Sequence, residues 1–210
     1  MRILSLDDLK NYKAVWRDPI RLQYKDLSII SMGPPSSGGI VLGQILKMIE
    51  PFALTQNDFL SPSSIQPIVE ASRRAYADRS EYLGDPDFVA IPVEGLLDSE
   101  YLKKRMISFD WSQATASSSV ASGKLTLQES PETTHYSIID SKGNAVAVTT
   151  TLNANYGSKL LVPSLGFFLN NEMDDFSSKP GVPNLYGVIG GEANAIAPEK
   201  RMLSSMTPTI

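Results

Sequence analysis

The spacing of apolar positions along the first half of the chain predicts mainly helices. A short apolar run over residues 27–32 predicts a strand, which ends in a loop over residues 33–39 where glycine, proline and serine are concentrated. Apolar residues then recur at helical spacing until Pro51, which ends the run: Ile40, Leu42, Ile45, Leu46 and Ile49.

Two further helices are expected before residue 110. Ser64 is a suitable N-cap for the first, with Pro67 in its first turn, where a missing N–H costs little. The expected inner face of this helix consists of Ile65, Ile68, Val69, Ser72, Ala75 and Tyr76. Asp98 is suited to cap a short helix through Met106, whose last turn carries three basic residues that favour a helix C-terminus.

The pattern changes from residue 112 onward. Residues 112–132 are rich in small and polar side chains, and we expect a flexible linker there. Beyond it, runs over residues 136–140 and 145–151 flank Ser-Lys-Gly-Asn, which predicts a β-hairpin. Residues 160–162 and 166–169 predict a second pair of strands. The chain ends in a short run that we expect to be extended. We therefore expect the whole chain to be a piece of a longer protein.

Composition limits the possible partners. A chain of 210 residues with 42% apolar and 20% charged residues is long enough to bury a core, and one domain is the default. The net charge of −4 provides no basic field for nucleic acid or an anionic membrane, so small molecules or proteins are the expected partners. The absence of cysteine excludes disulfides and thiolate chemistry, and no apolar run is long enough to span a bilayer.

The single histidine, His135, restricts the possible catalytic sites. A Ser-His-Asp or metal–histidine site would have to use this residue alone. On a strand, Thr133 and His135 would point to the same face, so a Thr–His pair is one interpretation. The other interpretation, which we favour, is a strand histidine whose ring makes ordinary hydrogen bonds.

Thr133 stands where the expected linker meets the first strand of the second half. Threonine favours strands, so this position alone does not identify a function. If the peptide bond before Thr133 is broken, however, the new α-amino group lies beside the hydroxyl and can act as its base.

Residues 170–176 concentrate carboxylates and amides in the order Asn-Asn-Glu-Met-Asp-Asp-Phe. A solvated turn needs no function, whereas a site with these groups could hold an ammonium ion or a metal. Because EF-hand spacing is absent, we expect no metal. The loop over residues 33–39 lacks the Gly-Lys-Ser/Thr ending of a nucleotide site, and no cofactor is expected.

Several of these segments together resemble the gamma-glutamyltranspeptidases in order and spacing. The second-half matches are residues 133–137 (Thr-Thr-His-Tyr-Ser), 151–153 (Thr-Leu-Asn), 170–176, 179–184 (Lys-Pro-Gly-Val-Pro-Asn) and 203–206 (Leu-Ser-Ser-Met). The first-half matches are residues 34–39 (Pro-Pro-Ser-Ser-Gly-Gly), 77–79 (Ala-Asp-Arg) and 82–86 (Tyr-Leu-Gly-Asp-Pro).

The resemblance implies an α+β fold of the N-terminal nucleophile hydrolase type, an αββα sandwich that is incomplete in this chain. It implies a precursor that cuts itself between Glu132 and Thr133. Residues 1–132 would then be the end of the large subunit, with the linker last, and residues 133–210 the start of the small subunit. The resemblance further implies a periplasmic, secreted or cell-surface location, which is usual for this family, although this chain shows no targeting signal.

The resemblance also assigns roles to individual residues. Thr133 would attack the gamma-glutamyl amide of glutathione or a related donor, and water, an amino acid or another amine would accept the glutamyl group. Thr151 corresponds to the threonine that hydrogen-bonds the nucleophile. The α-amino group of the donor would be held by Asn153, Glu172 and Asp175, and its α-carboxylate by Ser204 and Ser205. A zwitterionic head needs both acceptors and donors, and both are present.

Two family features fall outside these residues. The oxyanion-hole glycines lie beyond Ile210, and a carboxylate-binding arginine lies before Met1, so we expect the chain alone to be a poor enzyme. The missing parts of its own precursor are therefore expected partners. A glutaryl or cephalosporin acylase is an alternative, as is a non-catalytic fragment that associates through an exposed sheet edge. A smaller departure is Met202, where the family commonly has proline.

Overall fold

The structure is a computed structural model that describes residues 5–120 and 133–210. The described residues combine helices with antiparallel strand pairs, as in an α+β fold. The helices are α1 (Leu6–Asn11), α2 (Gly38–Ile49), α3 (Pro62–Tyr82), α4 (Val93–Leu96) and α5 (Ser99–Arg105). The strands are β1 (Ile20–Tyr24), β2 (Leu27–Ser31), β3 (Thr134–Ile139), β4 (Ala145–Thr150), β5 (Leu161–Val162) and β6 (Phe167–Phe168). Single 3₁₀ turns lie at Glu50–Phe52, Gln56–Asp58, Ser117–Ser119, Glu172–Asp175 and Glu192–Asn194.

The strands form three antiparallel pairs, β1 with β2, β3 with β4 and β5 with β6. The two pairs expected in the second half are therefore confirmed. Strand β1 was not predicted, although its residues alternate between buried Ile20 and Leu22 and exposed polar positions. Five residues give too short an alternation to stand out in a segment that otherwise reads as helical.

The end of the chain extends the β1–β2 pair. Ile30 and Ile210 exchange two backbone hydrogen bonds, of 2.8 and 2.9 Å, and Ser31 forms an antiparallel bridge with Thr209. The expected extended run thus lies beside β2 and is joined to it by an isolated β-bridge.

Helix α2 packs between two apolar clusters. One cluster joins Ile40 to β1 and also contains Leu203, from the far end of the chain; its buried members are Ile20, Leu22, Ile40, Leu83, Leu96 and Leu203. The other lies between α2, α3 and α5 and consists of Val41, Met48, Ile49, Ala71, Ala75 and Leu102. The parts before and after residue 132 consequently share one core.

The prediction for the start of α3 was wrong. The N-cap is Ser61, three residues earlier than expected, and Pro62 occupies the first turn, where proline is favoured. Ser64 lies inside the helix, where its hydroxyl donates to the carbonyls of Asp58 and Ser61. Pro67 is an interior residue of the helix and is buried. By contrast, Asp98 caps α5 as expected, accepting a hydrogen bond of 2.8 Å from the N–H of Tyr101.

The expected inner face of α3 was also wrong. Ile65, Ile68 and Val69 are 47%, 39% and 49% exposed, whereas Ala75 is buried as expected. The buried face carries charges instead, including Glu70, Arg74, Asp78 and Arg79. These charges can be buried because they are paired with one another or with groups on neighbouring segments.

Arg74 is the centre of that buried face. Its five N–H donors all have acceptors, which are the Glu70 carboxylate and carbonyl, the Arg105 carbonyl, and the hydroxyls of Ser108 and Thr115. Burial raises the pKa of Glu70, but hydrogen bonds from Arg74, Thr115 and Arg73 outweigh it and leave that pKa lowered. Glu70 and Arg74 thus form a charged pair that is closed to solvent.

The first part of the expected linker is anchored on α3. Thr115 contacts Arg74 and Glu70, Ser117 accepts from Arg73, and Val120 is buried. Within residues 112–120, hydroxyl groups thus satisfy charged groups of α3, and the flexibility expected of residues 112–132 stays a prediction. Residues 121–132 of that prediction, including Glu132, lie outside the described residues. Within the described ranges, no helix combines the length and apolarity that crossing a bilayer requires.

We predict that Arg74→Met lowers the free energy of unfolding by about 3 kcal/mol or more, because it leaves a buried carboxylate without its main partner. Lys103→Ala is the control, since the pair Glu100–Lys103 is exposed and its loss should cost less than about 1 kcal/mol. Urea unfolding monitored by circular dichroism measures both values. Equal, small losses in the two variants would contradict the structural role given to Arg74.

Candidate active site

A cavity of about 480 Å³ lies where the β3–β4 hairpin, the segment over residues 175–194 and the segment over residues 203–207 meet the end of α3. Six of the seven predicted active-site residues line it: Thr133, Thr151, Asn153, Asp175, Ser204 and Ser205. Other lining residues include Tyr76, Arg79, His135, Thr149, Ser177, Asn194 and Leu203. The seventh predicted residue, Glu172, does not reach the cavity wall.

The register of the β3–β4 hairpin brings the two predicted catalytic threonines together. Thr134 is paired with Thr150, so continuing the register by one residue places Thr133 opposite Thr151. The alternation of side chains along a strand then explains why Thr133, His135, Thr149 and Thr151 all line the cavity. No hydrogen bond joins Thr133 to Thr151 in the structure. Instead, the Thr151 hydroxyl accepts a bond of 2.9 Å from the N–H of Asn153.

His135 faces the cavity but is held by hydroxyl groups on the same hairpin. Its Nδ1 lies 2.8 Å from Oγ1 of Thr149, and its Nε2 lies 3.3 Å from Oγ of Ser137. Both ring nitrogens therefore have partners, which fits the interpretation as a strand histidine with ordinary hydrogen bonds.

Asn153 connects the end of the hairpin to the acidic turn. Its φ of 74° lies in the left-handed region, which asparagine tolerates better than most residues. Its amide Nδ2 donates to Oδ1 of Asp175 at 3.0 Å. This bond uses neither the amide oxygen of Asn153 nor the second carboxylate oxygen of Asp175.

Asp175 is held in a site that disfavours its charge. Burial raises its pKa to about 6, although the hydrogen bond from Asn153 and the charge of Arg79 act in the opposite direction. Burial also raises the pKa of Glu172, and the nearby charge of Asp175 adds to that shift. A cation in the cavity would favour the charged form of both carboxylates and so lower both pKa values.

Ser204 and Ser205 offer hydroxyl protons at the other side of the cavity. Oγ of Ser204 accepts a hydrogen bond of 3.0 Å from the N–H of Met206, and Oγ of Ser205 accepts one of 3.1 Å from Nη2 of Arg79. A serine hydroxyl has one proton, and neither proton is used in these bonds. Both hydroxyls can therefore donate to a ligand oxygen.

Arg79 was missed as a site residue, although Ala77-Asp78-Arg79 belongs to the matched motifs. It is 7% exposed at the end of α3, and its Nε donates to Oγ of Ser37 at 3.0 Å. Burial lowers its pKa, and the charges of Tyr76 and Asp175 partly offset that effect. The sequence signal was its place in a matched motif, but its partners Ser37 and Ser205 lie far away in the chain.

Among the described residues, no group of three or more histidine, aspartate or glutamate side chains is arranged to hold a metal ion. The cavity lining includes the hydroxyls of Thr133 and Thr151, the Asp175 carboxylate with its amide partner, and two serine hydroxyl donors. This set can bind a zwitterion and place a hydroxyl nucleophile beside it.

Comparisons with known proteins identify similar chains. The family model described as gamma-glutamyltranspeptidase matches residues 2–210. The glutathione hydrolase proenzyme of Escherichia coli (strain K12) is 51% identical over 208 residues, which are 99% of this chain and 36% of that protein. The chain thus spans about a third of the length of this curated relative.

Two solved structures extend the comparison. Cephalosporin acylase from Bacillus halodurans superposes with a TM-score of 0.76 over 98% of this chain and 34% of that one, at 24% identity. This similarity confirms the expected N-terminal nucleophile hydrolase-like fold. The gamma-glutamyltranspeptidase of Helicobacter pylori has a TM-score of 0.52 and 39% identity, over 61% of this chain and 37% of that one.

We predict that Asp175→Asn stabilises the chain at pH 8 by on the order of 2–3 kcal/mol, since each pKa unit corresponds to about 1.4 kcal/mol. The folded state binds more protons than the unfolded state between the unfolded pKa near 4 and the folded pKa of about 6. The unaltered chain should therefore lose stability as the pH rises through this interval, and the difference between the two chains should vanish near pH 4.

Urea unfolding at several pH values between 4 and 8 tests this prediction. Asp110→Asn is the control, because hydrogen bonds from Ser112 lower the pKa of that exposed aspartate and its loss should not stabilise the chain. An Asp175→Asn chain that is less stable than the unaltered one at pH 8 would refute the proposed cost of burying this charge.

Proposed function

Because the chain belongs to the gamma-glutamyltranspeptidase family, we propose that it is a portion of a precursor that cuts itself before Thr133 and then transfers or hydrolyses gamma-glutamyl groups. The supporting observation is that Thr133, the pair Asn153–Asp175 and the two serines line a single cavity. The donor is glutathione or a related gamma-glutamyl compound, and the acceptor is water, an amino acid or another amine.

In this proposal Thr133 acts as both nucleophile and base. Cleavage of the preceding peptide bond releases the α-amino group of Thr133, which accepts the hydroxyl proton as Oγ1 attacks the gamma-carbonyl carbon. The C–N bond of the donor then breaks, its amine leaves with that proton, and a glutamyl ester remains on Thr133. Water or an amine attacks the ester and restores the hydroxyl. Thr151, opposite Thr133 in the hairpin register, orients the nucleophile.

The walls of the cavity support recognition of an α-amino acid head. The ammonium group would lie against Asp175 and the Asn153 amide oxygen, with Glu172 contributing negative charge close to Asp175. The carboxylate would accept hydrogen bonds from Ser204 and Ser205. A glutaryl side chain, as in the acylase alternative, has no ammonium group to offset the buried charge of Asp175. The geometry therefore favours a gamma-glutamyl donor.

We expect the 210-residue chain alone to show little or no hydrolysis of a gamma-glutamyl anilide. It corresponds to about a third of its curated relative, and the resemblance assigns the oxyanion donors to residues outside these 210. Loss of one such donor typically lowers turnover about 100- to 1,000-fold. Release of the anilide, followed by absorbance, measures the activity, and ready turnover by this chain would contradict the expectation.

We predict that prolonged incubation of the purified chain yields pieces of 132 and 78 residues. Intact-mass spectrometry detects both pieces, and a Thr133→Ala chain treated in parallel should stay whole because it has no hydroxyl to attack the preceding peptide bond. His135→Ala is a second control. It should still be cut, because the histidine ring is engaged by Thr149 and Ser137 and not by Thr133.

A longer chain, extended at both ends with the sequence of the Escherichia coli relative, provides the decisive comparison. If this extended chain also remains whole, or if the Thr133→Ala form is cut at the same bond, Thr133 is not the nucleophile.

A further inference from the structure

Arg79 connects the two sides of the cavity. It lies on α3, is 7% exposed, and lines the cavity between the acidic turn and the serine pair. Its charge acts on Asp175, and its Nη2 donates to Oγ of Ser205 at 3.1 Å. The sequence motif Ala-Asp-Arg over residues 77–79 did not indicate a role for Arg79 in binding or catalysis.

The direction of the Arg79–Ser205 hydrogen bond is fixed by chemistry. A guanidinium group carries only donors, so the serine oxygen must be the acceptor. The serine proton is consequently directed away from Arg79, where a ligand oxygen can accept it. A hydroxyl that accepts from a cation is also a better donor, because neighbouring hydrogen bonds polarise one another.

A second contact of Arg79 fixes the neighbouring serine. Its Nε donates to Oγ of Ser37 at 3.0 Å, and the Ser37 hydroxyl donates to the Ser204 carbonyl at 2.9 Å. The two N–H groups of a planar fork therefore hold consecutive residues, Ser205 directly and Ser204 through Ser37. Lysine has no fork and could not hold both in this geometry.

The charges along the cavity alternate in a way that matches an α-amino acid. Asp175 is negative, Arg79 is positive, and the serine donors lie beyond it. A ligand with an ammonium group and a carboxylate on one carbon would present the opposite order. Such a ligand gains from both ends, whereas a ligand with only one of the two groups does not.

We propose that Arg79 is a positioning residue that orients Ser205 and thereby makes the cavity select ligands with a carboxylate beside the ammonium group. This inference rests on the proposed function, since it assumes that the cavity binds the glutamyl head. Arg79 lies on α3, before the proposed cleavage site in the chain. The carboxylate subsite on which it acts is formed by Ser204 and Ser205, which follow that site.

Three ligands of matched chemistry test the proposal by isothermal titration calorimetry on the chain carrying Thr133→Ala, which cannot be cut. L-glutamate has both groups, 4-aminobutyrate lacks only the α-carboxylate, and glutarate lacks only the ammonium group. We expect Arg79→Lys and Arg79→Met to reduce the preference for glutamate over 4-aminobutyrate about tenfold or more. Affinity for 4-aminobutyrate itself should change less than about twofold.

Two further variants separate positioning from simple structural support. Ser37→Ala removes only the indirect link from Arg79 to Ser204 and should lower the preference for glutamate less than Arg79→Lys, which disturbs both links. In a Ser205→Ala background, adding Arg79→Lys should have a smaller effect than in the unaltered chain, because the direct link to Ser205 is already lost. Thermal unfolding of each variant confirms that the compared chains are folded.

The outcomes distinguish the two proposals. If the unaltered cavity prefers glutamate to both analogues but the Arg79→Lys chain keeps that preference, or loses affinity for all three ligands equally, the inference about Arg79 is wrong. If the unaltered cavity shows no preference for glutamate over either analogue, the proposed recognition of a glutamyl head fails, and the inference fails with it.

Discussion

The site depends on the junction between residues 35–38 and residues 204–206. The N–H of Ser37 donates to the Ser204 carbonyl at 2.9 Å, and the N–H of Ser204 donates to the Pro35 carbonyl at 3.0 Å. The Ser36 hydroxyl donates to the Met206 carbonyl at 2.6 Å. Gly38 permits this approach, because a side-chain carbon at that position would lie 2.6 Å from the same Met206 oxygen. With Leu203 in the core, these bonds hold the serine pair against the start of α2.

Helix α3 supplies the opposing side through buried charges. The Asp78–Arg105 ion pair and the hydrogen bonds from Arg74 tie it to α5 and to the residues that follow, and Arg79 continues the same polar face into the cavity. A buried guanidinium group needs hydrogen-bond acceptors around it. The packing of α3 and the position of Arg79 in the cavity therefore depend on each other. The apolar residues at its beginning remain on the surface.

Local rules were sufficient for some elements and failed where tertiary partners decide. The turn over residues 141–144, the Asp98 cap and the helical run after Gly39 each follow from neighbours in the chain, and each is present. The inner face of α3 followed the apolar spacing and was wrong over its first turns, because groups more than 25 residues away accept hydrogen bonds from its buried arginine. For the same reason, composition did not show that Thr115 and Ser117 contact α3. Likewise, composition did not show that Asn153 and Asp175 line the cavity whereas Glu172 does not.

The linear pattern of residues is enough to identify the family, the order of its motifs and the residue types that carry the chemistry. Pairing Thr133 with Thr151 required only the hairpin register, which a short turn largely sets. The contact between Ser205 and Arg79 depends on packing instead, since these residues are 126 positions apart and their separation stays open until the core has formed. It also decided that burial raises the pKa of Asp175, because desolvation arises from packed neighbours and not from the carboxylate itself.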